Sequence, residues 1–346
     1  MNEEWKEFLS SQSARVEGDR IVFPDASQTA TCALCDLGHY GLIAAEGEDV
    51  DKFLQGQLTN DIRELGADHW QLAGFCNAKG RMFANFLLFR RGDTVYMQLP
   101  AEHLEAVLKR MSMFVLMAKV SLRDASDALV RIGLCGECAP DLLAETLGES
   151  PLRPGDIMTH EAVTVLRLPG TGPRFELVGP VERMKAIWTR LAERASPVDA
   201  EMWALENIRS GLPVIGSRTA EMFVPQMVNM QLVDGVSFTK GCYTGQEVVA
   251  RMQYLGKLKR RMYLAHVDSE VHPVAGMELF SETSQSAQGA GRVVDAQAVP
   301  SGGYDLLAVL DITAAEGGDV RLGKEGPALE INPLPYAFES EKNTED

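Results

Sequence analysis

Long hydrophobic runs are missing from this chain. Nowhere do about 18 uncharged apolar residues stand together, so no membrane span is expected. Cysteine is scarce, 6 in 346 residues, which is too few for a disulfide scaffold and suits a reducing compartment. Cations are in deficit: 33 Lys and Arg stand against 49 Asp and Glu, a net charge of −16. That balance argues against wholesale wrapping by nucleic acid, while leaving room for a local basic patch. The histidines, His39, His69, His103, His160, His266 and His272, are scattered, and neither a Ser/His/Asp constellation nor a Walker-type phosphate loop is present. Residues 1–6 are acidic and lack an apolar stretch behind a basic one. Neither a secretory signal nor a transit peptide is expected, and a cytoplasmic location is.

What is present reads as a soluble α+β protein of two or three domains, with 45% apolar and 24% charged residues. An amphipathic helical stub with Trp5 and Leu9 opens a segment over 1–30, and ordered structure is expected to begin near Leu37. Strands are expected over 40–45, 70–76, 82–89 and 94–99, with helices from Val50 and over 101–117. A second set follows: strands over 129–134, 161–168 and 174–178, and helices over 139–147, 181–194 and 199–209. This alternation predicts split β-α-β units in a body spanning 31–250. From residue 255 to 335, short strands over 262–267, 277–281, 291–296, 306–310, 319–322 and 328–331 predict a small antiparallel barrel. The end, 336–346, reads as an acidic tail.

The segment richest in chemistry is Lys240-Gly241-Cys242-Tyr243-Thr244-Gly245-Gln246-Glu247. A thiol between two glycines can approach a ligand closely, and a nearby ammonium or helix N-terminus favours its thiolate. The plainer reading is a glycine-rich turn with an inert cysteine. From Lys240 to Arg261 there are six cations and one acid, a local +5 against −21 for the rest of the chain. Such a patch can focus an anionic ligand, or simply protect a strand edge. Two Cys-x-x-Cys pairs, Cys32/Cys35 and Cys135/Cys138, admit zinc or a redox dithiol. Their separation of about a hundred residues and the lack of flanking histidines oppose a metal site, and none is expected.

Taken together, the octet 240–247, Phe223-Val224-Pro225-Gln226-Met227-Val228-Asn229, Phe53-Leu54-Gln55-Gly56-Gln57-Leu58-Thr59-Asn60-Asp61, Asn77-Ala78-Lys79-Gly80-Arg81 and Gly211-Leu212-Pro213 resemble the signature of the folate-binding YgfZ family, related to the aminomethyltransferase (T-protein) of the glycine cleavage system. The resemblance implies a three-lobed T-protein-like body around tetrahydrofolate, a role in iron–sulfur cluster assembly or repair, and through cluster enzymes a role in tRNA modification. It places folate contacts at Tyr40 and Trp203, and further ones at Asn60, Lys79, Arg81, Asn229, Gln246 and Glu247 in the matching motifs. Arg251 and Arg260 of the basic cluster would hold the anionic tail. Cys242 would be the working thiol, tuned by Lys240. The implied partners are folate and iron–sulfur enzymes or assembly proteins, with transient tRNA contact and no membrane.

Two positions depart from the pattern. Aminomethyltransferases carry an aspartate just after the turn at 77–81, where this chain has no acid between Trp70 and Gly92. Relatives carry a pterin-bonding Glu where this chain has Arg209, and a cation accepts no N–H bonds. The readings held beside the accessory factor are a true aminomethyl- or methyltransferase on the same scaffold, a direct RNA-binding module using 257–261, and a cofactor-free structural role.

Overall fold

The computed structural model describes residues 1–18, 20–24, 26, 30–150, 153–284 and 289–338; the acidic tail from 339 onward lies outside these. Apolar alternation builds the first sheet, wholly antiparallel. Its spatial order is Gln71–Cys76, Met82–Arg91, Thr94–Pro100, Tyr40–Glu46 and Ser121–Asp124. Helices Val50–Gln57 and Ala101–Ser112 cover one face, burying Phe53, Leu54, Val107 and Met111 against Phe75, Phe86 and Met97. The second sheet runs Ile157–His160, Val163–Leu168, Arg174–Gly179, Val130–Gly136, Cys32–Asp36 and Ser196–Val198, antiparallel except at the last pair. Helices Ala139–Leu147 and Val181–Leu191 cover its outer face.

The two uncovered faces meet. Leu42, Ala44 and Phe89 of the first sheet share a core with Ala33, Cys35, Leu166, Leu168 and Val178 of the second. The body is therefore layered helix, sheet, sheet, helix, as expected where each sheet must bury both faces. A third antiparallel sheet runs Glu278–Leu279, Gly291–Ala298, Tyr304–Asp311, Arg260–Val267 and Glu330–Asn332. Helix Ala200–Arg209 links the lobes, touching Cys32–Asp36 on one side and Gly291–Ala298 and Tyr304–Asp311 on the other.

Three expectations change. Order begins well before Leu37: helix Glu3–Ser11 sinks Trp5 and Leu9 into the second lobe's core, Trp5 meeting Trp188 edge-to-face at 5.6 Å, and Cys32–Asp36 is a fully buried strand. A nine-residue helix is marginal alone, so its stability comes from a partner that the local pattern does not contain. The helix expected over 101–117 stops at Ser112, followed by turns that leave Leu116 and Met117 exposed. In the third lobe no closed barrel forms among the described residues; the expected strand over 319–322 contributes only single bridges from Arg321 to Phe280 and Ala328.

Candidate functional site

Where the two sheets meet helix Ala200–Arg209, a half-open cavity of about 60 Å³ is lined by Tyr40, Gln98, Arg174, Glu176, Trp203 and Asn207 among others. Arg174 and Glu176 are two apart on one buried strand, so the period of two aims both at the cavity. Asn207 donates to the Tyr40 hydroxyl at 2.7 Å and accepts from Arg174. The Arg174 guanidinium lies 4.3 Å over the Trp203 ring, and Trp203 also packs against Gly133, leaving it 1% exposed. The face of Trp203 expected to stack on a ligand is thus taken by Arg174.

Gln98 donates to Glu176 at 3.0 Å. Burial lifts the Glu176 carboxyl to about 7, against the pull of Gln98, Arg131 and Arg174. The cavity also holds unpartnered buried atoms: Nε and Nη1 of Arg174, Oε1 of Glu176 and Oε1 of Gln98. Buried polar atoms are nearly always paired, so this cluster of donors and acceptors stands without the partners that such atoms ordinarily have. Asn85 anchors the facing loop, donating to Pro213 O and accepting from Ile215 N, both at 2.8 Å. This gives the Gly211-Leu212-Pro213 motif its place in the cavity wall. A larger chamber adjoins through Tyr40, Pro100 and Val214 and adds His39, Glu102, Arg218 and Asp295. Burial, reinforced by Arg131 and Arg20, brings His39 down to about 4, so it is neutral at pH 7; burial raises Asp295 to about 6.

The motif residues assemble a second locus. Lys240 is 5% exposed and donates to the carbonyls of Gln55, Leu58 and Asn60 at 2.9, 2.6 and 2.6 Å. An ammonium has three protons, and all three are spent on the 55–60 segment. Burial lowers its pKa to about 8. Lys240 is therefore a clamp, and none of its hydrogen bonds goes to Cys242. Gly245, at φ +85°, seats the loop on the 77–81 turn: a Cβ there would lie 2.4 Å from Asn77 O. Cys242 is exposed four residues before helix Gln246–Tyr254 and does not line the cavity.

The other expected contacts divide by role. Asn60 bonds Leu72 O and Asp234 O, and Asn229, left-handed at φ 58°, bonds Met262 O, so both fasten backbone segments. Lys79, Glu247 and Arg251 are exposed and Gln246 is half-buried. Arg81 and Arg260 do come together, with Arg292, in a cleft of about 530 Å³ that shares no lining residue with the cavity. Arg209 points away from the cavity, ion-paired to Asp305 at 2.9 Å, and leaves it open. Near the 77–81 turn a carboxylate is present after all, Glu221, but Asn77 and Arg110 hold it at 3.1 and 2.9 Å. Sequence reasoning missed Arg174 and Glu176. The available signal was two charges at alternate positions of an otherwise apolar strand.

Residues 26–233 match the GCVT N-terminal domain. The chain is 33% identical over 320 residues to the tRNA-modifying protein YgfZ of Yersinia pestis (strain Pestoides F), covering 92% of this chain and 97% of the relative. To its namesake from Photorhabdus laumondii it is 32% identical over 322 residues, with the same coverage. The fold is similar to that of the glycine cleavage system aminomethyltransferase T from Bartonella henselae, with a TM-score of 0.68, 18% identity, and coverage of 88% of this chain and 86% of that one. The chain therefore belongs to the YgfZ family, built on the GCVT N-terminal domain.

Proposed function

We propose that this chain binds tetrahydrofolate in the cavity beside Tyr40 and Trp203 and serves as an accessory factor for iron–sulfur cluster assembly or repair, indirectly supporting tRNA modification. The carrying observation is the set of unpaired buried atoms on Arg174, Glu176 and Gln98 within an aromatic and apolar wall. A pterin is flat and presents ring N–H donors beside nitrogen and carbonyl acceptors, which such a set can pair. Glu176 takes the part that Arg209 cannot. The anionic tail would extend into the adjoining chamber toward Arg218, since Arg81 and Arg260 line a separate cleft. Cys242 is proposed as a functional thiol by family resemblance, and its exposure lets it meet an iron–sulfur partner.

Direct tRNA contact is kept to a minor part. Of the basic run, Arg261 lies 4.2 Å over Phe338 and Arg260 donates to Gly289 O, which leaves Lys257 and Lys259 as the exposed cations. Titrating tetrahydrofolate while following tryptophan fluorescence tests the reading. Saturable binding is expected, weakened about tenfold, or roughly 1.4 kcal/mol, in Glu176→Gln. Absence of binding by the wild-type protein would remove folate from its function.

A further inference from the structure

The two Cys-x-x-Cys motifs, about a hundred residues apart in the chain, meet on neighbouring strands. Cys32–Asp36 pairs with Val130–Gly136 in the register Ala33 opposite Cys135 and Cys35 opposite Gly133. Alternation then puts Cys32 on one face of the sheet, and Cys35 and Cys135 together on the other. The cores agree: Cys32 lies under the outer helices, and Cys35 lies between the two sheets with Cys135 against it. Gly136, at φ +115°, turns the chain so that Cys138, at the start of helix Ala139–Leu147, reaches back to Cys32 and forms a disulfide with Cα atoms 5.9 Å apart. One sheet thus separates the four sulfurs into two pairs. This excludes a four-thiolate metal site, and among the described residues no group of three or more His, Cys, Asp or Glu could hold a metal.

The second pair is reduced, and both thiols pack in the core between the two sheets. Cys35 is fully buried while Cys135 is partly exposed. Arg174 stands opposite Cys135 in the ladder, and Trp203 covers Gly133. We propose that Cys35 and Cys135 form a thiol–disulfide exchange site, distinct from Cys242, in which Cys135 meets a small-molecule disulfide and Cys35 resolves the adduct. The neighbouring Cys35 thiol, helped by Arg174, lowers the Cys135 pKa and favours its thiolate, whereas Cys135 and burial raise that of Cys35.

The Cys135 thiolate attacks one sulfur of the small disulfide, forming a mixed disulfide and expelling one thiolate. Cys35 then attacks the Cys135 sulfur and gives its proton to the departing second small thiolate, which leaves as a thiol. Two electrons pass from the cysteine pair to the small disulfide, giving one protein disulfide and two small thiols. Because Arg174 and Trp203 line the cavity, its wall would register the change.

The test is incubation of the full chain with glutathione disulfide over a range of ratios to glutathione, acid quenching, alkylation under denaturing conditions and peptide mapping. Expected in the wild type is a Cys35–Cys135 disulfide with Cys32–Cys138 retained. In Cys35→Ser the glutathione adduct should accumulate on Cys135, at least tenfold over wild type. The proposal fails if Cys35 and Cys135 stay reduced at every ratio, if Cys135 pairs with Cys138 instead, or if the wild type holds the adduct on Cys135 as persistently as the variant. The wild-type map decides even if a variant folds poorly, and since no folate is present, its result is separate from that of the folate titration.

Discussion

Burial sets the chemistry of Glu176. Its carboxyl sits near 7 in the folded chain against an ordinary 4.5, so between these values the native state keeps a proton that the unfolded chain releases. Stability contributed by this residue therefore falls as pH rises through that window, by roughly 3 kcal/mol in full. Glu176→Gln carries no such proton. The melting temperature of the variant relative to wild type should rise steadily from pH 4.5 to 7 and then level off; a constant difference would show that Glu176 is ionised throughout. Lys240 poses the opposite question. If it is a clamp, Lys240→Met orphans carbonyls of the 55–60 segment and lowers unfolding free energy by about 2–3 kcal/mol in a denaturant titration. Unchanged stability with slower alkylation of Cys242 would instead make it a tuner of the thiol. The motif around Lys240 was legible in the sequence. Its hydrogen-bond partners were not, because they are backbone carbonyls some 180 positions away, which carry no residue signature.

Among the elements, the thiol loop and the N-terminal helix carry the clearest consequences. Gly245→Ala must place a Cβ against Asn77 O from a left-handed backbone, so it should cost about 2 kcal/mol or more and loosen the 240–247 segment from the 77–81 turn. Faster proteolysis within that loop, relative to wild type, would report this. Trp5→Ala empties a fully packed site and strips the buried Asp36 carboxylate of its 2.8 Å indole bond. A loss of 3–5 kcal/mol is expected by chemical denaturation, where a dangling stub would show none. Amphipathic helices and alternating strands were readable because their periodicity is local: 139–147 matches the helix Ala139–Leu147, and 199–209 matches Ala200–Arg209 to one residue. The burial of the first helix in the second lobe's core and the bridging state of the 319–322 segment were not, since both depend on what packs or pairs with them.

For the molecule as a whole, the Cys32–Cys138 bridge closes a loop with a sequence separation of 106 and ties the buried strand Cys32–Asp36 to an outer helix. Loop-closure entropy for that length is about 4–5 kcal/mol. Reductant, or Cys32→Ser, should therefore shift the denaturant midpoint well down; an unmoved midpoint would mean the bridge does not form in solution. Cysteine count had pointed away from a disulfide scaffold and toward a reducing compartment, and counting cannot tell that two thiols share one face of one sheet. Periodicity was enough to read the α+β class, and the motifs at 53–61, 77–81, 211–213, 223–229 and 240–247 carried the family resemblance, since both depend on residues close together in the chain. The meeting of two uncovered sheet faces, the cavity with its unpaired Arg174 and Glu176 atoms, and the pairing of Cys35 with Cys135 were decided only by tertiary packing. Register and burial join residues distant in the chain, and desolvation acts on a group only after the surrounding layers have closed over it.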